Sequence, residues 1–171
     1  MNADYQRKLH NIATIGTVFA VNPSDQTMRL AVGDNETDWL PIPALAAGQV
    51  SVWRCPSVGE QFLLVSPSGE LANAVPVVSL YSNQMPSPST DPSEIFVRYN
   101  DRDMLKIDTR GSKLHLTINN TILDSTVLIT GDLQVNGNIH ADGDIVAGSI
   151  SLQNHRHGGV KGGSDSTGAP R

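Results

Sequence analysis

Residues 131–147 read Gly131-Asp132-Leu133-Gln134-Val135-Asn136, then Gly137-Asn138-Ile139-His140-Ala141-Asp142, then Gly143-Asp144-Ile145-Val146-Ala147. These segments share the form Gly-[Asp/Asn]-[Leu/Ile]-x-[Val/Ala]-x, and Gly148-Ser149-Ile150 opens a shortened fourth. Odd positions from 133 to 147 are apolar or glycine, whereas the even ones are polar apart from Val146. Side chains of an extended strand alternate faces, so the segment has one dry side and one wet side. A solitary β-helix needs several stacked coils to shield its core, and these hexads amount to barely one. Alone they would leave unpaired edges and a bare apolar row. Three copies intertwined about a three-fold axis pair every edge and turn three apolar rows to a common core. Glycine at every sixth position fits backbones that approach closely or turn tightly. A single left-handed β-helix cap or an irregular sandwich edge shows the same alternation, so periodicity alone leaves those readings open.

Just downstream stands His155-Arg156-His157-Gly158-Gly159. On a strand, residues i and i+2 share a side, which sends both imidazoles where Ile145 and Ala147 face and puts Arg156 outside. Two ligands are too few for a stable protein metal site. Three chains around an axis supply six, an octahedral field that suits Fe, Ni or Co better than zinc. Taken without that symmetry, the pair is an ordinary feature of a solvated tail. Asp165, in Gly162-Gly163-Ser164-Asp165-Ser166-Thr167, is a weaker candidate for a second, oxygen-ligated ion such as Ca²⁺. His115 and His140 occupy outward positions, and Asp132, Asp142 and Asp144 lie on the wet face, where they serve solubility.

Upstream, a short helix is expected over Asp4–Asn11. Strands follow at Ile12–Val21, Thr27–Val32, Thr37–Ile42, Val50–Arg54, Glu60–Ser66 and Glu70–Leu80, with turns at Asn22-Pro23-Ser24-Asp25 and Pro67-Ser68-Gly69. So many short strands in so short a stretch predict a small closed barrel or sandwich. Residues 83–94, with Pro86, Pro88 and Pro92, read as a linker. Beyond it alternation resumes at Ile95, Val97 and Tyr99, at Leu105 and Ile107, and at Leu114, Leu116 and Ile118, with a glycine turn or bulge at Gly111-Ser112.

Composition narrows the function. A net charge of −5 with only 12 Lys and Arg argues against a protein that coats nucleic acid. The lone Cys55 cannot form an intrachain disulfide and fits assembly in a reducing compartment. Asp4, Arg7, Lys8 and His10 interrupt any secretory h-region, and no apolar run approaches the roughly 20 residues of a spanning helix. There is no Ser/His/Asp spacing, no His-Glu-x-x-His and no phosphate loop, and a six-histidine ion leaves no open position for substrate, so an enzyme is not expected.

Thr37-Asp38-Trp39-Leu40, Trp53-Arg54-Cys55-Pro56-Ser57-Val58-Gly59-Glu60-Gln61, Ser68-Gly69-Glu70-Leu71, and Leu80-Tyr81-Ser82 followed by Pro86-Ser87-Pro88-Ser89 closely resemble the baseplate assembly protein V family. These are the central spikes of P2-like contractile phage tails and related tail-derived particles. The end of the chain, His155-Arg156-His157 with Gly162-Gly163-Ser164 and Thr167-Gly168-Ala169-Pro170, resembles the same family's tip. The resemblance implies an all-β chain. An N-terminal segment (1–11) leads into an OB-fold domain (12–82), a linker (83–94), a trimeric intertwined β-helix spike (95–150) and an apex (151–171). It also implies one Fe ion per trimer held by His155 and His157, attachment to the baseplate hub, and a needle assembled in the host cytoplasm and driven through the bacterial outer membrane when the sheath contracts. The lysozyme domain of some larger relatives is missing, so cell-wall digestion does not transfer. The competing reading is an OB-type binding module for nucleic acid or carbohydrate with a trimerising appendage, though the acidic charge and the low aromatic content, 5%, disfavour nucleic acid.

Overall fold

The β-branched run at the N-terminus forms β1 (Ala13–Asn22), the strand about which the first half of the chain is built. It pairs antiparallel with β2 (Thr27–Val32) on one side and with β5 (Gln61–Val65) on the other. In the computed structural model, which describes residues 3–159 and residue 163, the sheet continues through β3 (Asn35–Glu36) beyond β2 and β6 (Val75–Leu80) beyond β5. The short β4 (Leu40–Pro41) also pairs with β2 and packs against β6, which draws the two ends of the sheet together. Helix α1 (Ala3–Asn11) precedes β1, and the Asn11 side chain donates to Gly69 O at 3.2 Å. The chain forms two compact units, one ending at Thr121 and one beginning at Ile122.

Alternation decides which side of this sheet is dry. Val18, Met28, Leu30, Leu40, Phe62, Leu64 and Ala74 form the core. Each large member contributes about 1.5–3 kcal/mol by leaving water. Gly16 lies in this layer because nothing larger fits: a Cβ there would stand 2.9 Å from Leu64 Cδ1 and 3.0 Å from Leu30 Cβ. At Phe19 the β1–β2 register slips by one residue. Such a bulge re-aims a side chain, and the Arg29 guanidinium lies 4.9 Å from the centre of the Phe19 ring.

Residues 42–58 depart from the expected pattern. The Val50–Arg54 strand does not form; its only ladder contact is an isolated bridge between Ala47 and Ser51. Val50, Val52 and Trp53 are exposed, so β propensity found no neighbouring strand to pack on. A buried carboxylate fastens the loop instead. Glu60 accepts from Arg54 Nη1 at 2.8 Å, from Arg54 Nη2, from Ser57 N at 3.0 Å and from Ser79 Oγ of β6 at 2.5 Å. Burial pushes its pKa up, but the hydrogen bonds from Arg54, Ser79 and Ser57 outweigh burial and hold the carboxyl below the ordinary glutamate range.

Residues 83–94 are a run of side-chain-capped turns. Ser82 Oγ accepts from Met85 N at 3.1 Å, Ser89 Oγ from Asp91 N at 3.1 Å, and Asp91 Oδ1 from Ser93 N at 2.8 Å. They lead into a second antiparallel sheet of β7 (Glu94–Arg98), β8 (Met104–Asp108) and β9 (Lys113–Thr117). Its register stacks Val97, Leu105 and Leu116 in one row and Ile95, Ile107 and Leu114 in the next, all on one face. The other face carries Lys106, which donates to Glu94 Oε1 at 2.9 Å, with His115 paired opposite Lys106. Gly111-Ser112 falls in the β8–β9 turn, as expected, with Ser112 at φ 50°.

The hexads form no ladder within one chain: between 118 and 145 no strand occurs among the described residues. Backbone bends nevertheless fall at 130–131, 136–137 and 142–143, so the six-residue period of the sequence is a period of the backbone too. Every residue from 109 to 150 is exposed, including Leu128 at 87% and Ile122 at 90%.

Candidate metal-binding tip

A small hairpin precedes the histidines. Strands β10 (Val146–Ala147) and β11 (Ile150–Ser151) pair through Ala147–Ile150, leaving a two-residue turn of Gly148 and Ser149. Gly148 has φ 61° while Ser149 does not enter the left-handed region. That combination belongs to a type II′ hairpin turn, where the first position wants glycine. After β11 the chain turns back: Leu152 N donates to Ile145 O at 2.9 Å and His155 N to Ser151 O at 3.0 Å.

The two candidate ligands come together. The rings of His155 and His157 lie edge to face with centroids 5.1 Å apart, as side chains two residues apart on one side should. Both are exposed. His155 Nδ1 stands 3.0 Å from Ser151 O and 3.2 Å from Leu152 O. A carbonyl oxygen only accepts, so Nδ1 is the donating nitrogen, and in the neutral ring Nε2 is then the one with a free lone pair. A backbone partner on the far nitrogen is the usual means of orienting an imidazole toward a metal.

Other candidates are dispersed. His10 lies on α1, His115 on the polar face of β9, and His140 is exposed with Nε2 3.2 Å from Asp142 Oδ1. Asp165, the candidate for a Ca²⁺ ion, lies outside the described residues. Among the described residues no three His, Cys, Asp or Glu side chains gather as a metal-binding group. One chain therefore supplies half a site or less, and the His155/His157 donor set suits an ion only when shared.

Asp144 is exposed, as its parity predicts, and it has a contact that parity does not reveal. Placed by parity on the wet face as a solubilising group, it accepts from Gln153 N at 3.0 Å, nine residues downstream. The Ser151 hydroxyl and the backbone N–H groups of Gln153, Ile145 and Leu152 hold its carboxyl below the ordinary aspartate range. A two-period pattern carries no sign of such a contact. The readable sign was an acidic residue two positions ahead of the first strand of a hairpin closed by Gly148-Ser149, where a carboxylate reaches the backbone leaving the second strand.

Residues 14–81 match the Type VI secretion system/phage-baseplate injector OB domain, and residues 149–171 match the GpV apex motif. An injector OB domain at one end and an apex motif at the other define a baseplate spike. The chain is thus similar at both ends to the phage baseplate assembly protein V family. It is similar to the spike protein of Escherichia phage P2, with 27% identity over 201 aligned positions that cover 96% of this chain and 94% of the relative. The apex motif is compatible with a metal-capped tip.

Proposed function

We propose that this chain is the central spike at the tip of a contractile tail, a homotrimer fixed to the baseplate hub and pushed through the bacterial outer membrane on sheath contraction. Residues 12–82 are the adaptor, 83–94 the connection, 95–150 the intertwined needle and 151–171 its apex. The observation that carries the reading is the exposed stretch 109–150, whose aliphatic side chains and six-residue bends have no cover within one chain. Soluble monomers rarely leave so much contiguous apolar surface bare. Two further copies supply that cover and also complete the six-imidazole set. The role is mechanical and structural, with no catalytic step.

When bound, a divalent iron at the tip ties three chain ends into one point. His155 and His157 of each chain present the donors, and the Ser151 and Leu152 carbonyls fix which nitrogen of His155 is free. Light scattering coupled to gel filtration should give three times 18.3 kDa. Elemental analysis should find one iron per three chains. A stable folded monomer refutes the spike, and one ion per chain refutes shared ligation.

A further inference from the structure

We propose that Asp144 is a positioning residue for the apical metal: it clamps the 151–153 turn, whose carbonyls hold the His155 imidazole in its ligating tautomer. The inference rests on the reading of His155 and His157 as metal ligands. Gln153 N donates to Asp144 Oδ1 at 3.0 Å. The Ser151 hydroxyl, one of the groups that hold the Asp144 carboxyl below its ordinary range, accepts from Asn154 N at 2.9 Å and Asn154 Nδ2 at 3.2 Å. Ser151 O in turn accepts from both His155 N and His155 Nδ1, each at 3.0 Å. Asp144 thus holds, through Gln153 N, the end of the turn whose Ser151 and Leu152 carbonyls face the imidazole, although it lies eleven positions before His155 and touches no ion itself.

Partners behind a metal ligand commonly set affinity by 10–100-fold, because they determine how much of the time a ring points correctly. An imidazole released from the Ser151 and Leu152 carbonyls samples both tautomers and several rotamers, and binding must then select one. The neighbouring Asp142 provides the internal comparison. Its carboxylate faces His140, 3.2 Å away, and reaches no part of the 151–154 turn in the hydrogen bonds described. It has the same charge at nearly the same place.

The test titrates Co²⁺ into metal-stripped trimers and follows both affinity and the visible ligand-field spectrum, which reports ligand arrangement. Asp144→Ala should weaken cobalt binding by about tenfold or more and alter the spectrum while the trimer mass is unchanged. Asp144→Asn, whose amide oxygen still accepts from Gln153 N, should recover part of the loss. Asp142→Ala should bind as the unaltered protein does. Equal weakening by Asp142→Ala and Asp144→Ala overturns the proposal in favour of bulk charge, and so does an Asp144→Ala trimer with unchanged affinity and spectrum. If Asp144→Ala fails to assemble, Asp144→Asn carries the test alone, since it keeps the acceptor for Gln153 N and loses the charge; a partial loss of affinity relative to the unaltered protein supports the proposal and unchanged binding overturns it. An unaltered trimer that takes up no cobalt overturns the metal reading itself, a result distinct from any difference among variants.

Discussion

Glu60 shows how one buried carboxylate orders a loop that has almost no ladder of its own. It joins Arg54 and Ser57, before β5, to Ser79 on β6. A hydrogen bond to a charged group contributes roughly 1.5–3 kcal/mol, so Glu60→Gln should lower the stability of the OB domain by about that amount. Both tryptophans, Trp39 and Trp53, lie in this domain, and their fluorescence during denaturant unfolding reads it selectively. The pH dependence has a definite sign. Because the folded-state pKa is depressed, the Glu60 contribution is present above the ordinary glutamate range of about 4 to 4.5 and is lost as pH falls through the lower folded value. The unaltered protein should lose stability over that acid interval more steeply than Glu60→Gln; parallel curves sink the assignment. The Glu60 clamp was not legible in the sequence, since it links positions up to 25 residues apart that share no period.

The β7–β9 sheet shows what an element can reveal before its partners are known. Its faces were legible because Lys113, His115 and Thr117 alternate with Leu114, Leu116 and Ile118, and the register then aligned Leu116 with Leu105 and Leu114 with Ile107. Thr27–Val32 was legible for the same reason, and β2 occupies the residues its alternation marks. Val50–Arg54 was not, because a strand's composition is visible while the strand that must lie beside it is not. In the proposed trimer, Leu116→Asp would place three carboxylates where an apolar face needs cover, and burying unpaired charges is costly. It should abolish the trimer while leaving the OB-domain fluorescence transition in place. Thr117→Asp, on the opposite face, should leave the trimer intact, and equal disruption by both changes means that the apolar face is not the one that assembles.

For the whole molecule as proposed, a trimer with an apical ion, the question is whether that ion would hold the chains together or only harden the point. Twelve large apolar side chains between Ile122 and Leu152 are exposed in one chain. Burying even half of them contributes a gross gain of about 9–18 kcal/mol per chain. A structural metal supplies roughly 10–16 kcal/mol, and divided among three chains that is about 3–5 each. Assembly should therefore rest on the interwoven rows, with the ion acting on the last turns alone. Stripping the metal with a chelator, or changing His157 to Ala, should remove the ion and leave the scattering mass at three times 18.3 kDa. Protease cleavage should then increase after Leu152, where the ion no longer ties three ends together, and remain unchanged over the hexads. Dissociation to 18.3 kDa on chelation contradicts this balance, since it makes the ion and not the apolar rows the bond that holds the spike.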